Sequence, residues 1–359
     1  MLDSIDGILK SGILMMGEFT EKFENDFSNR MGVKYSVTTN TCTTALQIVL
    51  SYYNVKDREI LVPSASFITD ISSIKWSGGI PVFVDMNPYT MSFDLNDLEK
   101  KLTSKTKALI WVHLTGVVSD QYLEIINFCK SNNLVLIEDC SHAHGATVNN
   151  KEAGSLGDAA CFSFYPGKMM TTGAGGMIST NNEELAIYSR QMRLFGRCKE
   201  DGSKVCLEGN DWFMDEIRAC IGLDQLHNLD NNLKKRRTVA SIYNKRLGSH
   251  PGIGIFNISN TNNPSYYLYF VTLDKSVDRK KVISMMTNIF NISTKRIYKP
   301  THMEKIFRDI NSADDNTLRV TEDILSRTLC LPIFYQITIK QVNYISDSLI
   351  ECVDKISKK

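Results

Sequence analysis

A chain of 359 residues is longer than one minimal domain needs and suits a large domain with a smaller companion. Its 41 basic and 40 acidic residues leave a formal charge of +1, so no global field gathers nucleic acid or an anionic membrane surface. No run approaches the roughly 20 apolar residues that span a bilayer, the N-terminal MLDSIDGILKSGILMMG lacks the features of a signal peptide, and nine scattered cysteines without a CxxC pair suit reduced thiols in a cytoplasmic protein better than disulfides or zinc.

Between about 35 and 185, short β-rich runs alternate with amphipathic stretches. The runs are VKYSVTTN, EILVPS, PVFVDM, KALIWVHL, LVLIEDCS, AACFSFYP and GGMIST; TTALQIVLSYY, LNDLEKKL and YLEIINFCK read as helices between them. Strands this apolar, separated by helices, predict an α/β fold with a mostly parallel sheet buried on both faces. Ligands of such sheets bind at the carboxyl ends of strands, so the polar residues closing each run are the ones to weigh. From about 212 to 247 the pattern is helical and holds the basic run NLKKRR, which reads as a solvated helix face. A strand-like SYYLYFVTL (265–273) and a helix over 278–290 open a compact α+β remainder. The expected division is a large domain over 1–235 and a small C-terminal domain over 236–359, sharing an extensive interface.

The chemistry concentrates in IEDCSHAHGATVNNKEAGSLGDAACFSFYPGKMMTTGAGGMIST (137–180). Asp139 closes a strand, where an acid either faces a ligand, such as a protonated ring nitrogen, or caps the next turn. Lys168 follows another strand; partial desolvation there would free a neutral, nucleophilic amine, whereas a lone lysine is more often simply on the surface. Gly173-Ala174-Gly175-Gly176 fits close approach to a ligand or a plain tight turn, and it matches neither a Walker motif nor GxGxxG. Cys42 and Thr43, in Asn40-Thr41-Cys42-Thr43-Thr44, open a helix that suits either a bound phosphate or ordinary capping. Phe67, just past a strand, suits stacking on a planar ring or core packing.

In order and over nearly the whole chain, these pieces resemble the DegT/StrS-type sugar aminotransferases through EDxxxAHGA…GSLGDAACFSFYPxK…GxGG. The resemblance implies fold-type-I architecture: a large domain with a mostly parallel, mixed sheet flanked by helices, and a smaller α+β domain. It also implies pyridoxal 5'-phosphate as cofactor. Lys168 then looks like the lysine that forms the imine with the cofactor, and Asp139 like the partner of the pyridine nitrogen. His142 stands beside the phenolic oxygen, Ser163, Thr43 and Cys42 match phosphate positions, and Phe67 matches the stacking aromatic. His113 matches a family position that packing explains as well. His302, in YKPTH, resembles part of a substrate-side loop. The resemblance further implies a homodimer whose 209–214 loop (GNDWFM) reaches the neighbouring subunit's phosphate. There Asp211 replaces an asparagine and Phe213 an arginine, so Asn210 is the expected contact.

The expected reaction moves an amino group from glutamate or glutamine to a keto sugar, nucleotide-linked in the leading reading, by a ping-pong route. Lys168 argues against the related sugar dehydratases, which carry histidine there. An aminocyclitol or a small phosphorylated ketone stays open as acceptor. A catalytically silent PLP-binding sensor is the reading from another class, and the Asp139/Lys168 pair disfavours it.

Overall fold

All seven apolar runs are strands of one sheet in the computed structural model, which describes residues 1–198, 201–311 and 318–357. In chain order they are β1 (Tyr35–Thr39), β2 (Glu59–Pro63), β3 (Ile80–Val84), β4 (Thr106–Val112) and β5 (Val135–Asp139). A short hairpin, β6 (Thr147–Val148) and β7 (Lys151–Glu152), precedes β8 (Ala159–Ser163) and β9 (Gly176–Thr180). The spatial order is β1-β9-β8-β5-β4-β2-β3. β9 runs antiparallel to both neighbours, and the remaining pairings in this sheet are parallel.

Side chains alternate across a strand, so each central strand feeds two cores. Leu61, Leu109, Trp111, Leu136, Ala160, Phe162 and Met177 face one core. Ile60, Val62, Ala108, Ile110, Ile137, Cys161 and Ile178 face the other. α1 (Leu2–Ser11) precedes α2 (Glu18–Met31), which covers the first face with α5 (Leu95–Lys101), α6 (Tyr122–Ser131) and the first part of α8 (Glu216–Leu247). The second face is covered by α3 (Cys42–Tyr52), α4 (Ile68–Trp76) and α7 (Glu183–Met192). Caps fix where several of these begin: Thr41, Asn182 and Asp215 accept from the backbone N–H of Thr44, Leu185 and Arg218.

α8 runs unbroken past 235, and its inward residues change cores on the way: Leu233 packs under the sheet, Val239 in a separate C-terminal core. That core is built on an antiparallel sheet of β10 (Ile253–Ile255), β12 (Tyr269–Leu273) and β13 (Thr328–Leu331), with α9 (Arg279–Asn288) and α11 (Ile339–Ser357). The short β11 (Asn262–Asn263) instead pairs with β6, and α10 (Arg319–Arg327) leads into β13. A further apolar cluster, including Ala65, Met86, Leu114, Phe270 and Leu325, joins the two bodies.

Three expectations need correction. SYYLYFVTL is a strand only from Tyr269, because Tyr266 takes a left-handed φ of 50° that interrupts extended pairing. Only part of NLKKRR is a solvated face. Lys234 and Lys235 are exposed, but Arg236 donates to the carbonyls of Tyr266 and Tyr267, and Arg237 to those of Gly145, Asn263 and Pro264. The cysteines are not all reduced either. Bridging of Arg197 to Val205 brings Cys198 and Cys206 to a Cα separation of 5.3 Å, and they form a disulfide.

Candidate active site

The carboxyl end of β5 sends two acids in opposite directions. Glu138 points to the α2/α8 face with no exposure, and each of its oxygens accepts two hydrogen bonds. Oε1 takes the N–H of Leu156 at 2.7 Å and Gly157 at 2.8 Å; Oε2 takes that of Gly154 at 2.9 Å and the ring Nε2 of His113 at 2.8 Å. Glu138, His113 and Cys140 bring potential metal-binding atoms within 4.8 Å of one another. Glu138's capacity is already spent on the 154–157 loop, so this cluster is a structural staple, and His113 belongs to it.

Asp139 leaves β5 on the other face, 5% exposed, where its Oδ1 accepts the N–H of Ser141 at 2.8 Å. Ser163, closing β8, has the same parity. Cys42 Sγ lies 3.2 Å from Ser141 Oγ, which ties the start of α3 to the turn after β5. Lys168 sits in the turn after β8, its N–H bonded to the Tyr165 carbonyl and its Nζ 4.9 Å from the centre of the Tyr267 ring. Burial pushes the Lys168 pKa below the ordinary lysine value, while Asp139, Cys42 and Asp70 pull it back up. The result is an amine easier to deprotonate than a surface lysine, held beside carboxylates.

His142 is nearly enclosed. Its ring stacks on Tyr267 at 4.2 Å, Nδ1 accepts the N–H of Thr115 at 3.2 Å, and Nε2 is 2.9 Å from the Tyr298 hydroxyl. An Nδ1 that accepts carries no proton, so the neutral ring is protonated on Nε2 and donates to the Tyr298 oxygen. The hydroxyl proton of Tyr298 is then available for another acceptor. Burial, with Lys168 next, holds the His142 pKa well below the usual value and keeps this tautomer neutral. Phe67 caps α4 from the open side, half exposed, with its ring 5.8 Å from that of Tyr298.

α3 brings its N-terminus to the same end of the sheet. Thr41 Oγ1 serves the Thr44 N–H, and the preceding N–H groups of Cys42 and Thr43 have no partner within the helix. Gly176 allows this approach, since a Cβ there would lie 2.4 Å from the Thr41 carbonyl carbon and 2.6 Å from the Cys42 nitrogen. Of the two readings of Gly173–Gly176, the tight turn is the one seen: Gly173 has φ of 80°, and the glycines serve packing within the chain, since a Cβ on Gly175 would strike Met214.

Two expected contacts lie apart from this cluster. His302 has both ring nitrogens engaged within the chain, Nδ1 with Ser64 Oγ at 2.6 Å and Nε2 with Glu322 at 2.9 Å, which leaves neither for a ligand. Asn210 and Asp211 are exposed; Asn210 Oδ1 accepts the Asp211 N–H at 2.8 Å. Tyr267 and Tyr298 enter the pocket from the C-terminal segment with no spacing that announces them, and Asp70 enters from α4, where it reads as an ordinary first-turn acid.

Residues 1–350 match the DegT/DnrJ/EryC1/StrS aminotransferase family. The chain belongs to this family. The aminotransferase is 31% identical over 338 residues to the GDP-perosamine synthase of Escherichia coli O157:H7, covering 93% of this chain and 90% of that one. It is 32% identical to the dTDP-3-amino-3,6-dideoxy-alpha-D-galactopyranose transaminase of Aneurinibacillus thermoaerophilus over 92% and 89% of the two chains. The crystal structure of DesV from S. venezuelae, in complex with a ketimine intermediate, superposes with a TM-score of 0.91 at 28% identity, covering 98% and 94% of the chains. The fold is thus that of the fold-type-I aminotransferases, and the cofactor is pyridoxal 5'-phosphate. The pocket suits that group on its own geometry. It offers an amine of lowered pKa, a helix N-terminus, and an acidic end where both oxygens of buried Asp70 lack a hydrogen-bond donor among the described residues.

Proposed function

We propose that this aminotransferase moves an amino group from glutamate or glutamine to a nucleotide-linked keto sugar. The observation that carries the reading is Lys168, a half-buried amine of lowered pKa under the influence of the Asp139 carboxylate at the carboxyl end of the sheet. The names of the relatives, a GDP-perosamine synthase and a dTDP-linked sugar transaminase, supply the substrate class.

When bound, pyridoxal phosphate supplies an aldehyde carbon for amine exchange and a protonated ring that draws electrons from it. Lys168 would hold it covalently through Nζ and, once displaced, carry a proton to and from the substrate carbon. Asp139 would keep the ring nitrogen protonated. The first N–H groups of α3, with Thr43, Cys42 and Ser163, would bind the phosphate, favoured by the helix dipole. Phe67 would cover one ring face, and neutral His142 would stand by the phenolic oxygen without adding charge. We further propose a homodimer in which Asn210 of one subunit reaches the neighbour's phosphate. Its Oδ1 is engaged by Asp211 N–H, which turns the amide to present Nδ2 as a donor.

The test is a two-step titration of the yellow holoenzyme. Glutamate or glutamine should bleach the visible band and release 2-oxoglutarate or its amide analogue, and a dTDP- or GDP-linked keto sugar should restore it. Conversion only by another amino acid would remove the donor assignment, and restoration only by a keto-cyclitol or a phosphorylated ketone would remove the sugar. If no amine bleaches the band, the protein is a binding sensor. Borohydride should fix the cofactor on the peptide containing Lys168; a label on another lysine would refute that role. A fully active monomer would refute the shared site.

A further inference from the structure

Asp70 has no part in the scheme above, yet it is among the most confined ionisable groups in the chain. It is the third residue of α4, 1% exposed, and neither carboxyl oxygen has a hydrogen-bond donor among the described residues. Its carboxyl meets that of Asp139 across a hydrogen-bond contact, with the Ser66 hydroxyl as a weaker neighbour. The other titratable groups that face it are Cys42 from α3, Cys161 from β8, Lys168 from the turn after β8 and Tyr298 from the C-terminal segment. Lys168 is the one cation in that set.

Two carboxylates in contact inside a protein do not both ionise beside a single amine whose own proton is loosely held. A proton between them converts an oxygen–oxygen repulsion into a hydrogen bond. Asp139 already accepts a backbone N–H from Ser141, so it is the better-solvated anion, and the proton belongs on Asp70. Burial first, and then Asp139, hold the Asp70 carboxyl well above the usual carboxylate range, in the same direction.

We propose that Asp70 is a positioning residue for the cofactor: its carboxyl O–H donates to Asp139 and fixes where the ring-nitrogen proton resides. The inference rests on the reading of Asp139 as the ring-nitrogen partner. A donor into Asp139 makes that carboxylate less basic, so the proton between it and the ring nitrogen stays on the nitrogen. Asp70 also keeps the end of the pocket at a single negative charge, matched to a single ring cation.

The test separates the pair from the cofactor. Apoprotein carrying 13C-carboxyl aspartate should show, at pH 7, an infrared band of a protonated carboxyl that is absent from Asp70→Asn. Absence of the band in the parent protein, or its persistence in Asp70→Asn, overturns the proposal. In the holoenzyme with ring-15N cofactor, Asp70→Asn, whose amide still donates, should keep the pyridinium signal and bind cofactor within about twofold of the parent. Asp70→Leu removes the donor and should weaken cofactor binding by roughly tenfold, the scale of one hydrogen bond to a charged group, with the signal moving toward neutral pyridine. An unchanged signal in a folded Leu variant, or a lost one in Asn, refutes the role; if the Leu variant does not fold, the Asn variant and the infrared band decide. Asp139→Asn tells the two readings apart. If it leaves the ring signal unchanged, the assignment of Asp139 is wrong, while the apoprotein band still decides whether Asp70 holds a proton.

A carboxyl whose folded pKa is raised gives stability that is fully present below the unfolded value of about 4 and is lost as pH rises toward the folded value. The apoprotein's thermal midpoint should therefore fall less from pH 5 to 8 in Asp70→Asn than in the parent. Identical slopes would overturn the proposal.

Discussion

Glu138 and Asp139 leave the same strand on opposite faces, and the two faces serve a buried carboxylate differently. On the α2/α8 side four donors converge on Glu138, three of them backbone N–H groups of one loop. On the other side Asp139 takes one backbone N–H and meets a second carboxyl, with a half-buried amine nearby. A buried acid fully served by its own chain holds the fold. One left short of donors has capacity to spare for a group from outside.

Removing each acid tests that contrast most sharply. Asp139→Ala should cost roughly 10²- to 10³-fold or more in the glutamate half-reaction, the scale of a lost electrostatic partner at a reacting group. Its unfolding free energy in urea should stay within about 1 kcal/mol of the parent, since it removes one of two crowded carboxyls. Glu138→Ala should do the reverse and destabilise the apoprotein by about 3–5 kcal/mol, because it strands three N–H groups and a histidine in the interior. If the two variants behave alike, the contrast fails.

Gly176→Ala sharpens the Asp139 side. Its Cβ would push on the Thr41–Cys42 peptide, so we expect a loss of about 1–3 kcal/mol of stability with cofactor affinity falling in parallel, measured by denaturation and by fluorescence titration. An effect confined to acid pH is expected at His144, fully buried on the Glu138 side between Phe162 and Phe164. Burial, then Lys168, hold its pKa down at about 3. Its contribution to stability is thus present above the ordinary histidine value and lost as pH falls below about 6.5, by roughly 1.4 kcal/mol per pH unit. His144→Leu should remove one proton from the slope of unfolding free energy between pH 6 and 4, with His142 still contributing in the same direction. The smallest effect belongs to the exposed 209–214 loop: Asp211→Asn should leave cofactor affinity unchanged or slightly tighter. A large loss would make the aspartate a needed partner.

Much of this was legible in the sequence, for reasons that can be named. The seven strands of the main sheet announced themselves because a two-sided sheet demands uninterrupted apolar runs. The placing of Asp139, Lys168, Cys42 and Thr43 at one edge of the sheet was legible from strand ends and a helix start, whereas Ser163 was named only through the family resemblance. Asp70 was hidden, since an acid in the first turn of a helix is what the dipole favours on any surface, and only packing shows that this one is buried. Tyr267 and Tyr298 depend on how the C-terminal body docks, which no local pattern encodes. The pairing of Cys198 with Cys206 depends on a local hairpin, and cysteine spacing alone does not reveal it.

The 32 residues of α8 make a shaft of about 48 Å gripped by one core of the main sheet and by the C-terminal core. About two-thirds of the way along it, Arg236 and Arg237 bolt five carbonyls from the 145 and 263–267 segments to the shaft, including that of Tyr267, whose ring lies on His142. The C-terminal body therefore cannot swivel against the sheet without bending the shaft or breaking those bolts. Either would lift Tyr267 from the imidazole and open the floor of the pocket. The angle between the two bodies and the stacking of Tyr267 on His142 are one mechanical variable.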